Sequence, residues 1–336
     1  MIFQENTPIA NTFGINTQSR YFAEYKDISE LQEILNSDIF KKNKFLHIGA
    51  GSNLLFLSDF NGVILHSKIQ GITECRGVAS NAHYADEVFL RAGAGVLWDD
   101  FVKYTVEMGF FGAENLSLIP GEVGAAAVQN IGAYGVEAKD IISAVETVEI
   151  SSGETRIFTN EECRFAYRES IFKDEEKGKY IVTSVTFRLS KTPIFRLDYG
   201  NLSECPKDLP AIRETIIKIR EEKLPDYKVL GNAGSFFKNP YICIAHYEGL
   251  KKHYPTLPHY PVNDEVVKIP AAWLIEQCGW KGKSLGNAAV YDKQALVIVN
   301  KGGATAQEIK ALSDKIIADV KGKFHIDICP EVNFIG

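Results

Sequence analysis

The sequence predicts an α+β protein with a first domain over about residues 17–190 in two lobes and a second domain after about residue 200. Three observations lead there. Short apolar strands run directly into glycine-rich turns, as where Phe45-Leu46-His47-Ile48 meets Gly49-Ala50-Gly51-Ser52-Asn53. Ala144–Ile150 and Thr155–Phe158 flank a Ser-Ser-Gly-Glu turn as a hairpin, with a long alternating strand at Tyr180–Leu189. Composition then changes near residue 200, and a helical pattern takes over.

In chain order, Tyr21–Ala23 reads as a strand. Asp27 and Glu30 form a capping pattern ahead of Leu31, Ile34 and Leu35, one face of a short helix. Leu54–Leu57 and Val63–Leu65 read as strands, and Glu87–Arg91 as another that ends in Ala92-Gly93-Ala94-Gly95. Leu97, Phe101, Tyr104 and Met108 fall at helical spacing. In the second domain Leu209–Lys223 reads as a helix, with Ile212, Ile216, Ile217 and Ile219 inside and Arg213, Lys218, Arg220 and Lys223 on the wet side. Leu224-Pro225 ends it. Ile269–Gln277 is a helix with Pro270 in its first turn, and Ala295–Val299 is a strand. Thr305 and Glu308 make a capping box for a helix over 306–321, and a final short strand is expected at Phe324–Ile328.

With 336 residues, 45% hydrophobic and 24% charged, the chain is globular in composition. A net charge of −6 and a pI of about 5.7 argue against a general nucleic-acid binder. The six cysteines form no CxxC unit and read as reduced thiols of a cytoplasmic protein, and the histidines show no HxH or HxxxH pair, so no metal site is expected. No apolar run approaches the roughly 20 residues that span a membrane.

The stretch Glu114–Gly135, ENLSLIPGEVGAAAVQNIGAYG, lies at the centre of the chain's chemistry. It is almost free of charge and of bulky side chains. Glycines and alanines let another group lie against the backbone, and positive-φ glycines can aim successive N–H groups at one point. It reads as a cofactor cradle, with an Ala/Gly-rich packed turn as the rival. Gly49–Asn53 can present N–H groups and a hydroxyl to phosphate oxygens, or be a plain β-turn. It lacks the third glycine of a Rossmann fingerprint and the Gly-Lys-Ser/Thr of a P-loop.

A second polar cluster is Gly231-Asn232-Ala233-Gly234-Ser235-Phe236-Phe237-Lys238-Asn239-Pro240. Small residues before Ser235 and apolar ones after it suit a hydroxyl in a dry pocket. The G-x-S-x-G pattern is missing, so a proton donor fits better than a nucleophile, and a capped turn fits equally. Arg168, after Phe165-Ala166-Tyr167, can clamp a carboxylate or a developing enolate, or pair with Glu169. Taken alone, Glu331 is an ordinary terminal carboxylate.

Together, Gly49–Leu55, the run from Ile119-Pro120-Gly121 to Gly135, and Gly231–Pro240 resemble the UDP-N-acetylenolpyruvoylglucosamine reductases, the flavoenzymes that complete UDP-N-acetylmuramic acid for peptidoglycan. The resemblance extends from about Asn11 to Glu331. It implies an FAD-binding domain of the vanillyl-alcohol-oxidase type in two lobes, residues 1–66 and 67–200, with 322–336 returning to the first. It also implies a substrate-binding domain over 201–321. FAD is the implied cofactor, with NADPH and UDP-N-acetylglucosamine enolpyruvate as substrates, in a cytoplasmic monomer. Residue by residue, it implies that Ser235 is the proton donor and that Arg168 and Glu331 act on the substrate carboxyl and enol. Tyr167, Tyr199, Lys223, Asn239 and Gln294 match substrate contacts, and Tyr199 marks the longer class with a closing tyrosine. Cofactor contacts fall on Gly49, Ala50, Gly51, Ser52, Asn53, Gly121, Gly124, Ala125, Gln129, Asn130, Gly132, Ala133 and Tyr134. Glu122, Ala127 and Tyr291 depart from the family pattern, where a small polar residue, a proline and a histidine are common. The alternatives are another FAD oxidoreductase of the same fold, such as a small-alcohol oxidase, and a non-catalytic nucleotide-binding protein.

Overall fold

The computed structural model describes residues 3–75, 86–198 and 200–336. It divides the chain into two compact units. The first comprises the segments to Pro8, Gln18–Ala50 and Phe60–Arg220; the second comprises Ile9–Thr17, Gly51–Asp59 and Glu221–Gly336. The expected site residue Tyr199 lies outside the described residues.

Among the described residues the first unit holds two larger sheets and a two-stranded ribbon of Gly132–Ala133 with Val136–Glu137. One has the order Gln4–Pro8, Gln18–Tyr25, Phe60–Ser67, Phe45–Ile48, antiparallel at its first pair and parallel thereafter. The helix Ile28–Asn36 covers it, capped by the Asp27 carboxylate on the Glu30 N–H as the sequence predicts, and it buries Leu31, Ile34 and Leu35. The other sheet is antiparallel, in the order Thr155–Thr159, Ile142–Glu149, Tyr180–Ser190, Glu87–Gly93, Ile72–Cys75. Ile142–Glu149 and Thr155–Thr159 form the expected hairpin, with Val145 opposite Phe158. The helix Trp98–Glu107 buries Trp98, Phe101 and Val102. The Phe101 and Phe187 rings lie 4.3 Å apart in the core of this sheet.

The second unit is built on an antiparallel sheet ordered Gly231–Ser235, Val297–Asn300, Ala288–Val290, Ser284–Leu285. A smaller sheet orders Tyr241–Cys243, Val266–Lys268 and Tyr260–Pro261. Leu54–Phe56 pairs in parallel with Asn333–Ile335 at the end of the chain. The helix Ala306–Phe324 begins at the capping box of Thr305 and Glu308. Its stripe of Ile309, Leu312, Ile316, Val320 and Phe324 is buried at i, i+3 and i, i+4 spacing.

Three sequence expectations are corrected. The strand at Phe324–Ile328 does not form: Phe324 completes the buried helical stripe, and His325, at φ 55°, ends the helix in the left-handed region. The strand lies further on, at Asn333–Ile335. Within Glu114–Gly135, Val123–Gln129 is an α-helix rather than a succession of turns, as its alanines favour. The helix Leu209–Lys223 forms where expected, but Arg213 and Arg220 do not face water. Arg213 makes a two-pronged pair with Asp99, at 2.8 Å for each prong. Arg220 donates to the Leu118 carbonyl and hydrogen-bonds the Tyr134 side chain.

Candidate active site

In the first unit, Glu114–Gly135 is tied to the end of the Glu87–Gly93 strand. The Val123 and Gly124 N–H groups donate to the carbonyls of Val96 and Ala94, and the Trp98 indole donates to Leu116. A Cβ on Gly124 would stand 2.8 Å from that of Ala94, so only glycine allows this approach. The turn at Gly49 lies against the same helix: a Cβ there would come within 3.3 Å of the Ala125 Cβ and 3.1 Å of Glu122 Oε2. Gly49, Ala50, Gly121, Gly124 and Ala125 therefore present backbone with almost no side chain, and Ala125 is exposed. Such a surface fits a flat, phosphate-bearing cofactor.

Asn130 ends the Val123–Gln129 helix at φ 46° and is fully buried. Its amide nitrogen donates to Ala166 O at 2.7 Å and to Glu137 Oε2 at 3.2 Å, while its Oδ1 accepts from the Lys139 N–H at 3.0 Å. Its side chain is thus spent on the protein, and what it positions is the turn that carries Arg168. Ala166 and Glu169 close that turn with two reciprocal backbone bonds of 3.0 Å. Arg168 itself sits at φ 59°. Its Nη2 donates to the Gly132 carbonyl at 2.6 Å, and its guanidinium lies 5.0 Å from the Tyr167 ring centroid and 3.8 Å from Glu137. Lys173, which sequence reasoning missed, donates to Gln129 Oε1 and to the Arg168 carbonyl, at 2.8 and 2.7 Å. Tyr134, at φ 49°, is half-buried, which raises the pKa of its hydroxyl. Burial pulls the pKa of its partner Arg220 down, although Tyr134 favours the charge. Asp99 is held below the usual carboxylate range because bonds from Arg213 and the Leu118 N–H outweigh its burial. Neither Arg213 nor Asp99 was legible as a site support, since each looks like one more surface charge on an amphipathic helix.

In the second unit, Gly51 sits at φ 67°, and a Cβ there would come 2.4 Å from the Ala10 carbonyl. Ser52 and Asn53 follow it, and Asn53 Nδ2 donates to the Glu331 carbonyl at 3.2 Å. The Glu331 N–H in turn donates to Phe236 O at 2.7 Å, and the Lys238 N–H to Cys329 O at 2.9 Å. The structure thus brings Ser235 and Glu331, 96 positions apart in sequence, onto two neighbouring segments bridged at Phe237 and Pro330. Phe236 and Phe237 are buried, but Ser235 is exposed, not sealed in a dry pocket. The alternation of a strand turns the hydroxyl away from the core that holds the first ring.

Asn239 and Gln294 are half-buried and Lys223 is exposed. Asn239 Oδ1 accepts from the Ala271 N–H at 2.9 Å, and Gln294 Oε1 from the Leu296 N–H at 3.2 Å, so these bonds use the oxygen and not the nitrogen of each amide. Tyr241 and Tyr260 both register against Lys268, whose ammonium lies 5.7 Å from the Tyr260 ring centroid. Both tyrosines are exposed, and this strip of two rings and one cation was not singled out from sequence. A cavity of about 400 Å³ lined by Lys26, Asp27, Ile28, Ser29, Ile69, Arg91 and Thr183 contains none of the expected site residues. No helix among the described residues is long and apolar enough to cross a membrane.

Comparison with known proteins gives two family matches. Residues 19–159 match the FAD binding domain family, and residues 225–335 match the C-terminal domain of UDP-N-acetylenolpyruvoylglucosamine reductase. The chain is 52% identical over 330 residues to the UDP-N-acetylenolpyruvoylglucosamine reductase of Bacteroides fragilis, covering 97% of each chain. It is 45% identical to that of Porphyromonas gingivalis, covering 100% of both. The crystal structure of the Thermus caldophilus reductase shares the fold at a TM-score of 0.66 and 22% identity, over 97% of this chain and 96% of that one. FAD is therefore the cofactor, and the chain belongs to the UDP-N-acetylenolpyruvoylglucosamine reductase family.

Proposed function

We propose that this chain reduces UDP-N-acetylglucosamine enolpyruvate to UDP-N-acetylmuramate with NADPH, a step of peptidoglycan synthesis. What carries the assignment is identity of 52% to a named reductase along essentially the whole chain. The joining of the Ser235 strand to the Glu331 segment supports it from the structure. FAD, when bound, supplies a two-electron carrier that can accept a hydride and give it up again. Gly49, Ala50 and Gly121–Ala125 would hold its diphosphate, and Gly132, Ala133 and Tyr134 would contact the same cofactor.

Hydride addition to the terminal alkene carbon leaves negative charge on the adjacent carbon and its carboxylate. Arg168 meets that charge with a guanidinium held by the Gly132 carbonyl and the Tyr167 ring, so little reorganisation is needed as charge develops. Ser235 donates the proton that completes the saturated product, and Glu331 acts on the enol beside it. Lys223, Asn239 and Gln294 contact the substrate, as does Tyr199. The Tyr241–Lys268–Tyr260 strip offers flat rings and a cation, groups suited to a nucleoside diphosphate.

The test is Ser235→Ala. The purified variant should remain yellow and be bleached by NADPH without oxygen, yet turn over the UDP-sugar about 10²–10⁴-fold more slowly. Stopped-flow absorbance separates the two half-reactions. Reoxidation by the substrate at the parental rate would remove Ser235 from the chemistry, and a colourless protein would remove the cofactor.

A further inference from the structure

Beside the Gly49 turn lies a cluster that the proposed chemistry does not use. Glu122, which departs from the family pattern, is buried with 6% of its surface exposed. Its Oε1 is 2.8 Å from His66 Nε2, and the other ring nitrogen of His66 is 3.0 Å from Glu24 Oε1. Lys68 approaches Glu24 Oε1 from the other side at 3.3 Å. His47 and Tyr25, themselves joined at 2.7 Å, are the remaining titratable groups whose charge is felt there.

A neutral imidazole has one N–H, whereas an imidazolium has two. With a carboxylate at each ring nitrogen, only the protonated ring donates to both. A buried carboxylate also needs a neutralising partner, and His66 stands 2.8 Å from Glu122. Burial disfavours charge on His66, but its bonds to Glu122 and Glu24 outweigh this and raise its pKa above 6.5. Glu122 Oε2, meanwhile, faces the missing Cβ of Gly49.

We propose that Glu122 and His66 are positioning residues for the cofactor turn, and that the proton on His66 sets how tightly the FAD diphosphate is held. This rests on the assignment of the diphosphate to Gly49, Ala50 and Gly121–Ala125. With His66 charged, the pair is neutral and the turn accepts the dianion. Once His66 loses its proton, Glu122 is an uncompensated anion at the edge of the diphosphate site. Binding the diphosphate and protonating His66 therefore favour one another, and affinity falls as pH rises through the His66 pKa in the folded chain.

The test is FAD affinity against pH, measured by quenching of flavin fluorescence on titration into the flavin-stripped full chain. The parent should bind about tenfold more weakly at pH 9 than at pH 6, the change that one pKa unit of coupling produces. Glu122→Gln should reduce this to less than about twofold. His66→Gln should bind weakly at both pH values, and the double variant His66→Gln/Glu122→Gln should recover affinity and lose the pH dependence. A purely structural role would change thermal stability but leave the pH slope in place. A flat parental profile, or a Glu122→Gln profile parallel to the parent, overturns the proposal. If either single variant fails to fold, the parent and the double variant still decide it. Absence of FAD binding at every pH would instead overturn the cofactor assignment.

Discussion

Replacing Asn130 tests how the site is supported without touching any group proposed to react. The residue has two duties. It occupies the left-handed region at φ 46°, and its buried amide bonds Ala166 O, Glu137 Oε2 and the Lys139 N–H. Asn130→Gly keeps the backbone conformation at little cost but leaves the Lys139 N–H without its partner and the Ala166 carbonyl with only the Glu169 N–H. One orphaned donor at about 1–3 kcal/mol and one lost ordinary bond at about 0.5–1.5 kcal/mol predict a destabilisation of about 1.5–4.5 kcal/mol. Asn130→Ala adds a Cβ in the left-handed region, which costs about 1–2 kcal/mol more. The order is thus parent, glycine, alanine, with alanine below glycine where intrinsic helix propensity would put it above. Urea unfolding checks it, followed by tryptophan fluorescence, since Trp98 reports on the same core. Because Ala166 O anchors the Arg168 turn, both variants should also lose turnover while retaining FAD. Both variants within about 1 kcal/mol of the parent, or alanine more stable than glycine, would refute this account of Asn130.

Arg168→Lys should lower kcat by about 10²-fold or more at unchanged FAD content, because an ammonium cannot keep the Gly132 bond and present a planar fork to a carboxylate; turnover within a few-fold of the parent would exclude that geometry. Gly231→Ala places a Cβ 2.3 Å from the Phe13 carbonyl, so it should unfold the second unit at a lower urea concentration, which far-UV circular dichroism would show, and an unchanged midpoint would contradict the close approach. Burial drives the His47 pKa down to about 4, so its neutral form is favoured in the folded chain. The unfolded chain takes up that proton first, and stability should fall as pH drops from about 6.5 towards 4. His47→Gln should flatten that part of the profile, and equal acid sensitivity in parent and variant would count against the shift.

What the sequence determined by itself is local. The hairpin at Ile142–Thr159, the Thr305–Glu308 capping box and the exact bounds of Leu209–Lys223 follow from turn residues, side-chain caps and apolar periodicity, all of which act over a few residues. Resemblance along the three glycine-rich motifs also carried the family. The chemistry proposed for Ser235, Arg168 and Glu331 rests on that likeness, since a lone serine, arginine or glutamate has no spacing signal. Tertiary structure decided the rest. Periodicity says which face of a helix is apolar but not what packs against the other face, so Arg213 and Arg220 looked wet until Asp99, Leu118 and Tyr134 met them. Phe324 went to the helix, where it packs in the same core as the rest of the stripe. Asn130 and Glu122 sit one on either side of the short Val123–Gln129 helix. Whether each meets a cofactor or the protein depends on groups 36 and 56 positions away, at Ala166 and His66. Those distances close only when the chain folds, because no local propensity links residues so far apart in sequence.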